Sequence, residues 1–160
     1  MLPLWLNIFI FLAAFFGMEG MAWFSHKYIM HGFMWRWHKS HHHPYNGILE
    51  KNDLFSLVFS IPAIACFWAG YKFPHLAWLT WLGAGITGYG IFYFIFHDVI
   101  VHRRVKHGYR AGSSYMKRLI RAHKVHHKYT EKDGAEAFGF LFAPKKYEVK
   151  DYSGTTVRKK

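Results

Sequence analysis

The chain reads as an all-α integral membrane protein in which about three transmembrane helices extend into a histidine-rich cap that holds two metals. Three observations lead there. Of 160 residues 52% are hydrophobic and 21% aromatic, yet mean hydropathy is only −0.03, because long uncharged blocks alternate with blocks dense in His, Lys and Arg. Three of the apolar blocks are long enough, as helices, to cross a hydrocarbon layer of about 30 Å. Ten of the 13 histidines fall into a spacing pattern that occurs twice, each time where an apolar block ends.

Residues 2–24 form the first block, interrupted only by Asn7, Glu19 and small residues. With no Lys or Arg before it, no A-x-A site and too long an apolar run, it reads as a retained membrane helix rather than a signal peptide. Residues 54–71 carry no charge, and residues 73–96 carry none either, with His75 as their one histidine. Lys72 and Pro74 separate these blocks, so two crossings joined by a tight turn are expected. Pro62 and the cluster Gly83, Gly85, Gly88 and Gly90 leave room for kinks or a partly re-entrant path.

Charge orients the spans. Of 21 Lys and Arg, four lie in residues 25–53 and 16 in 97–160, leaving Lys72 for the other side. The positive-inside rule then places both His-rich segments and the C-terminus in the cytoplasm, with basic residues beside anionic lipid. Trp5, Tyr71 and Trp78 would mark one boundary and Trp23, Tyr28 and Trp35 the other. The net charge of +12 gives no reason to expect nucleic acid as a partner, since the basic residues flank spans and no reader fold is present, whereas an acidic redox protein would suit that surface. Residues 1–144 read as one domain and 145–160 as a polar, basic tail dispensable for chemistry.

The histidines run His26 and His31, then His38, His41 and His42, later His97 and His102, then His123, His126 and His127. H-x4-H followed by H-x2-H-H is thus an internal repeat of a ligand pattern. At this chain's His frequency one such triplet arises by chance roughly 0.08 times, and two are present in the same order. On an α-helix the triplet puts three imidazoles on one face. H-x4-H does not fit so simply: residues five apart differ by about 140° on a regular helix, so either the helix is distorted or each His of the pair reaches a different metal. Ten imidazoles in two sets of five suggest two ions bound between helices. Cys66, the single cysteine, excludes a disulfide framework and cysteine-rich metal sites. Imidazole alone does not choose among Zn, Cu, Fe and Ni, but five ligands per ion fit iron better than four-coordinate structural zinc. His43, His75 and His107 stand outside the pattern.

Asp98, four residues before His102, is a candidate to orient that imidazole, or else a surface partner of Arg103 or Arg104. Glu19 is the only charge inside the spans and lies seven residues before His26 on the same helical face, a candidate to line a substrate route. No G-x-S-x-G or Walker loop is present, and Gly83-Ala-Gly-Ile-Thr-Gly, which matches G-x-G-x-x-G in letters, lies inside an uncharged apolar block rather than between a strand and a helix, so it is no dinucleotide fingerprint and electrons for any redox chemistry come from another protein.

The run Glu19-Gly-Met-Ala-Trp-Phe-Ser-His-Lys-Tyr-Ile-Met-His-Gly, then Trp37-His-Lys-Ser-His-His, His97-Asp-Val-Ile-Val-His-Arg, Ala122-His-Lys-Val-His-His and the closing Phe138-Gly-Phe-Leu-Phe-Ala-Pro closely resemble the bacterial β-carotene 3-hydroxylases. The boxes alone are shared by the wider superfamily of membrane di-iron fatty-acid and sterol hydroxylases; the flanking words narrow the likeness, which covers about residues 17–144. The resemblance implies a bacterial inner-membrane enzyme that hydroxylates the β-ionone rings of β-carotene at C3 and C3′ with O2. It further implies two non-haem irons on the ten patterned histidines and electrons from reduced ferredoxin and an NAD(P)H-linked reductase. Substrate would arrive from the bilayer. A related oxygenase acting on a sterol, fatty acyl chain or ketocarotenoid is the nearest alternative, and a membrane metal-handling protein a more distant one.

Overall fold

The computed structural model describes residues 2–43, 47 and 49–148. Helix α1 (Leu4–Phe24) continues into a π-helical segment, Ser25–Phe33, and together they make a 30-residue rod that is regular up to a break at Gly32. At 1.5 Å per residue the rod is about 45 Å long, so its last turns stand beyond an apolar layer of about 30 Å. A short helix α2 (Trp35–His42) then folds back across the end of the rod, after a break at Gly32 (φ −102°, ψ −125°). Helix α3 (Leu54–Lys72) runs back through the membrane despite Pro62, and the turn of residues 73–78 leads into α4 (Leu79–Tyr93). Like α1, α4 passes into a π-helical segment, Phe94–Val101. Helix α5 (Ser114–His126) closes the cap, capped by the Ser113 hydroxyl, which accepts from the Met116 N–H at 3.2 Å.

Three helices are therefore long and apolar enough to span a membrane, as the uncharged blocks predicted. Their outward faces carry Trp5, Phe9, Phe16, Leu57, Ile61 and Trp68, each more than 60% exposed, which only a lipid environment tolerates on this scale. Helix α4 packs between α1 and α3. Its glycines do not kink it or turn it back. They allow close approach instead: a Cβ on Gly85 would lie 2.5 Å from the Phe11 carbonyl of α1, and one on Gly83 3.1 Å from the Ala63 carbonyl and Cys66 Cβ of α3. Small residues at crossings are how membrane helices gain packing energy without a hydrophobic drive.

The cap has its own apolar core of Phe96, Leu119, Ala122, Phe140, Ala143 and Tyr147. Packed structure thus extends past Pro144, where the tail was expected to begin: residues 145–147 form a turn that buries Tyr147, and Glu148 pairs with Arg118 at 3.1 Å. The rest of the expected tail, 149–160, lies outside the described residues.

Gly85→Val should lower the thermal midpoint of the detergent-solubilised protein by an amount corresponding to at least about 1–3 kcal/mol of overpacking. Gly17→Ala, where an added Cβ meets nothing within 4 Å, should leave the midpoint unchanged in the same melt.

Candidate metal centre

The two π-helical segments resolve the H-x4-H puzzle. In a π-helix the N–H of residue i+5 bonds the carbonyl of residue i, so each turn takes up an extra residue and positions five apart come onto one face. His102 N–H bonds the His97 carbonyl at 2.9 Å in this way, and Met34 N–H bonds that of Ile29 at 2.9 Å. The ring centres of His26 and His31 are 5.4 Å apart, and those of His97 and His102 4.5 Å. The helix is distorted, and the two members of each pair stay together.

All ten patterned histidines converge in two groups. Group A is His26, His31, His38, His42 and His126; group B is His41, His97, His102, His123 and His127. Within each group one ring nitrogen from every member lies within 4.8 Å of the others. The expectation that a triplet aims all three imidazoles at one point does not hold. Its first and third members, i and i+4, join their own H-x4-H pair, while the middle member crosses over: His41 to group B, His126 to group A. Neighbours i+3 and i+4 differ by about 100° around an α-helix, enough to send them to different centres. The crossing knits the two halves of the repeat together, with His42 and His127 stacked at 4.6 Å across the seam.

Hydrogen bonds fix which nitrogen faces inward. In group A the outward Nδ1–H groups donate to the carbonyls of Phe138 (His26, 3.0 Å), Lys132 (His31, 2.8 Å), Tyr129 (His42, 2.7 Å) and Glu136 (His126, 2.9 Å), and to Asn52 Oδ1 (His38, 2.7 Å). In group B, His41 Nδ1–H donates to Glu50 Oε1 at 3.0 Å and His97 Nδ1–H to Asp98 Oδ1 at 3.3 Å. A carbonyl cannot donate, so the proton sits on Nδ1 and the Nε2 lone pair points inward. Among the imidazoles so fixed, the inward Nε2 atoms face one another at 2.9–3.2 Å with no proton between them; His123 Nε2 lies 3.0 and 2.9 Å from those of His102 and His127, three rings for which no outer acceptor is found among the described residues.

Protonation does not relieve this crowding. Burial, reinforced by neighbouring imidazoles, holds His41 and His123 well below the ordinary histidine range; His38 is lowered likewise, chiefly by burial. Burial also pushes His42 down to about 4 against the pull of the Tyr129 carbonyl, and His102 and His126 down to about 3. Nitrogen donors gathered in this way at two points suit a cation at each. The spacing agrees: two nitrogens about 2.1 Å from one ion at right angles are about 3 Å apart. The donor set is all nitrogen, suited to iron and other first-row metals.

Asp98 is buried and takes its hydrogen bond from His97, not from His102 as a regular helix would have it, since π-helical winding moves residue i+4 off its face. It also accepts from Arg104 at 3.2 Å, so the alternative pairing holds as well. Glu19 does not line the cavity beneath the site. Its Oε1 accepts from the N–H groups of Phe140, Leu141 and Phe142 (2.8, 2.9 and 3.3 Å), and its Oε2 from the Tyr89 hydroxyl at 2.7 Å. It pins the strap of residues 129–143, the source of four of group A's five outer acceptors. Ala137 sits in this strap at φ +62°, a strained setting between the two inward-turned carbonyls of Glu136 and Phe138.

Sequence reasoning missed Asn52 and Glu50, which lie in the polar connection between α2 and α3; polar residues placed shortly after a ligand triplet were the available signal. It also named no substrate-facing residue. A mostly apolar cavity of about 580 Å³ lies between α1, α3 and α4, with Ala22, Phe59, Ala63, Ile86 and Tyr93 in its walls and His26 and His38 at its head. Ile64 and Ile91, 62% and 56% exposed, stand at its lipid-facing side.

A membrane helical bundle with this paired histidine centre at one end defines a class, and the sequence comparisons agree: the chain belongs to the fatty acid hydroxylase family, whose model matches residues 11–144. It is a hydroxylating oxidoreductase. Among its relatives, the beta-carotene hydroxylase of Pantoea ananas is 44% identical over 90% of this chain and 81% of its own length. That of Paracoccus sp. (strain N81106 / MBIC 01143) is 41% identical over 86% and 85%. The chloroplastic beta-carotene 3-hydroxylase of Haematococcus lacustris is 40% identical over 82% of this chain and 42% of its own. No solved structure matches.

Glu19→Leu removes four accepted hydrogen bonds, several of them charge-assisted at about 1.5–3 kcal/mol each before relaxation. The variant should still insert in membranes, but retain at least tenfold less metal through purification than the wild type, measured by elemental analysis.

Proposed function

We propose that this chain is an O2-dependent carotenoid hydroxylase that converts β-carotene, through β-cryptoxanthin, to zeaxanthin by hydroxylating C3 and C3′ of the β-ionone rings. The observation that carries the reading is the joining of a ten-imidazole centre to an apolar cavity open toward lipid. The printed names of the bacterial relatives supply the substrate class.

Two iron ions held by groups A and B would supply the redox chemistry: with two electrons and two protons, one atom of O2 enters a ring C–H bond as hydroxyl and the other leaves as water. The protein's own part is placement. A long polyene stays dissolved in the bilayer, and one ring end enters between α3 and α4 to rest under His26 and His38. The mostly apolar walls hold a hydrocarbon ring by shape and keep water from the reacting carbon. Electrons arrive from an acidic ferredoxin-type donor. The exposed Arg121, Lys124 and Lys128 of the α5 region lie behind His123 and His127 and offer it a basic landing face. With that face in the cytoplasm, the protein is an inner-membrane enzyme whose histidine cap and C-terminus face the reductant.

Expression in a β-carotene-accumulating bacterial host should yield zeaxanthin, read by pigment chromatography. The His38→Ala, His41→Ala double variant removes one ligand from each group and should leave β-carotene unchanged while still reaching the membrane. Unchanged pigment in both, with a working reductase supplied, would transfer the reading to another lipid substrate.

A further inference from the structure

The repeat that builds the two histidine groups is nearly symmetric, but what stands behind the imidazoles is not. Every outer acceptor on group A is neutral: four backbone carbonyls and the Asn52 amide oxygen. The outer acceptors on group B, among the described residues, are the carboxylates of Glu50 and Asp98. Arg104 aligns this anionic side. It binds both Asp53 oxygens at 2.7 Å, Asp98 at 3.2 Å, and lies 4.0 Å from Glu50. Three carboxylates gathered about one guanidinium leave a surplus of negative charge beside group B. A carboxylate that accepts the Nδ1–H of an imidazole makes Nε2 a stronger donor, and its charge favours a cation nearby. A neutral carbonyl does less of both.

We propose that the two groups are inequivalent metal sites: group B holds its ion more tightly and keeps it more electron-rich, with Glu50 and Asp98 as positioning residues, while group A, the one facing the cavity, holds the more exchangeable ion. The inference rests on the di-iron reading above. It gives the two halves of the centre different tasks: the imidazoles at the cavity, His26 and His38, belong to the group with neutral outer acceptors, while group B shows the cavity no imidazole, only its carboxylate Asp98 with Asp53 beside it.

The test uses the full-length protein in detergent, loaded with iron-57 and reduced. Mössbauer spectra should show two quadrupole doublets of equal area, and a ferrous chelator should withdraw the iron in two separate phases. Glu50→Gln, which keeps shape and removes charge, should speed the slow phase about 10–100-fold and alter one doublet only. Asn52→Asp places a carboxylate behind His38 of group A and should slow the fast phase. The wild-type measurement stands even where a variant fails to fold. A single doublet with single-phase release in the wild type, or a Glu50→Gln effect shared equally by both phases, overturns the inequivalence and leaves the hydroxylase reading intact. A wild-type protein that hydroxylates nothing and binds no pair of irons overturns both.

Discussion

Ten imidazoles, eight of them buried, gathered with one ring nitrogen each facing inward form the constraint on which the rest of the structure depends. Left without cations, nitrogens about 3 Å apart and lacking protons repel one another, and charging them is opposed by burial. The fold is arranged to hold this costly cluster. Two long helices raise the H-x4-H pairs above the apolar layer, two short helices bring in the triplets, and the crossing of His41 and His126 makes each group depend on both halves of the chain. Metal binding and cap folding are in that sense one equilibrium.

The membrane bundle and the cap are joined at Glu19. A carboxylate inside an apolar span is costly unless its charge is met, and here three backbone N–H groups and a tyrosine hydroxyl meet it. Those N–H groups belong to the strap whose preceding carbonyls set the tautomers of group A. The one charge within the sequence's apolar blocks therefore serves the metal centre indirectly, through backbone geometry. Glu19 itself stays out of the cavity, whose walls are mostly apolar toward the membrane and carry Asn52, Asp53 and Asp98 near the histidines.

Much of this was legible in the sequence because the determinants were side chains at fixed spacings. Three apolar blocks gave three spans, and the doubled histidine pattern marked all ten converging residues. The spacing of H-x4-H even carried the choice between distortion and division, but nothing in the residue types shows that a helix will widen into π-winding. The partition of each triplet was hidden for a related reason: a face wide enough for three imidazoles is also wide enough to serve two centres. Group A's outer acceptors are mostly backbone carbonyls, which leave no trace in residue identity. Likewise Gly83 and Gly85 read as flexibility in isolation and prove to be contact points once α1 and α3 are beside them.

The central claim is that two ions sit in two all-imidazole shells, and X-ray absorption on the iron-loaded protein, with the metal counted per chain, tests it most directly. Two equivalents of iron are expected, with a first shell of nitrogen and oxygen at about 2.1 Å, the multiple-scattering pattern of several imidazoles, and no sulfur. One equivalent per chain, or a shell containing sulfur or lacking imidazole scattering, would contradict it.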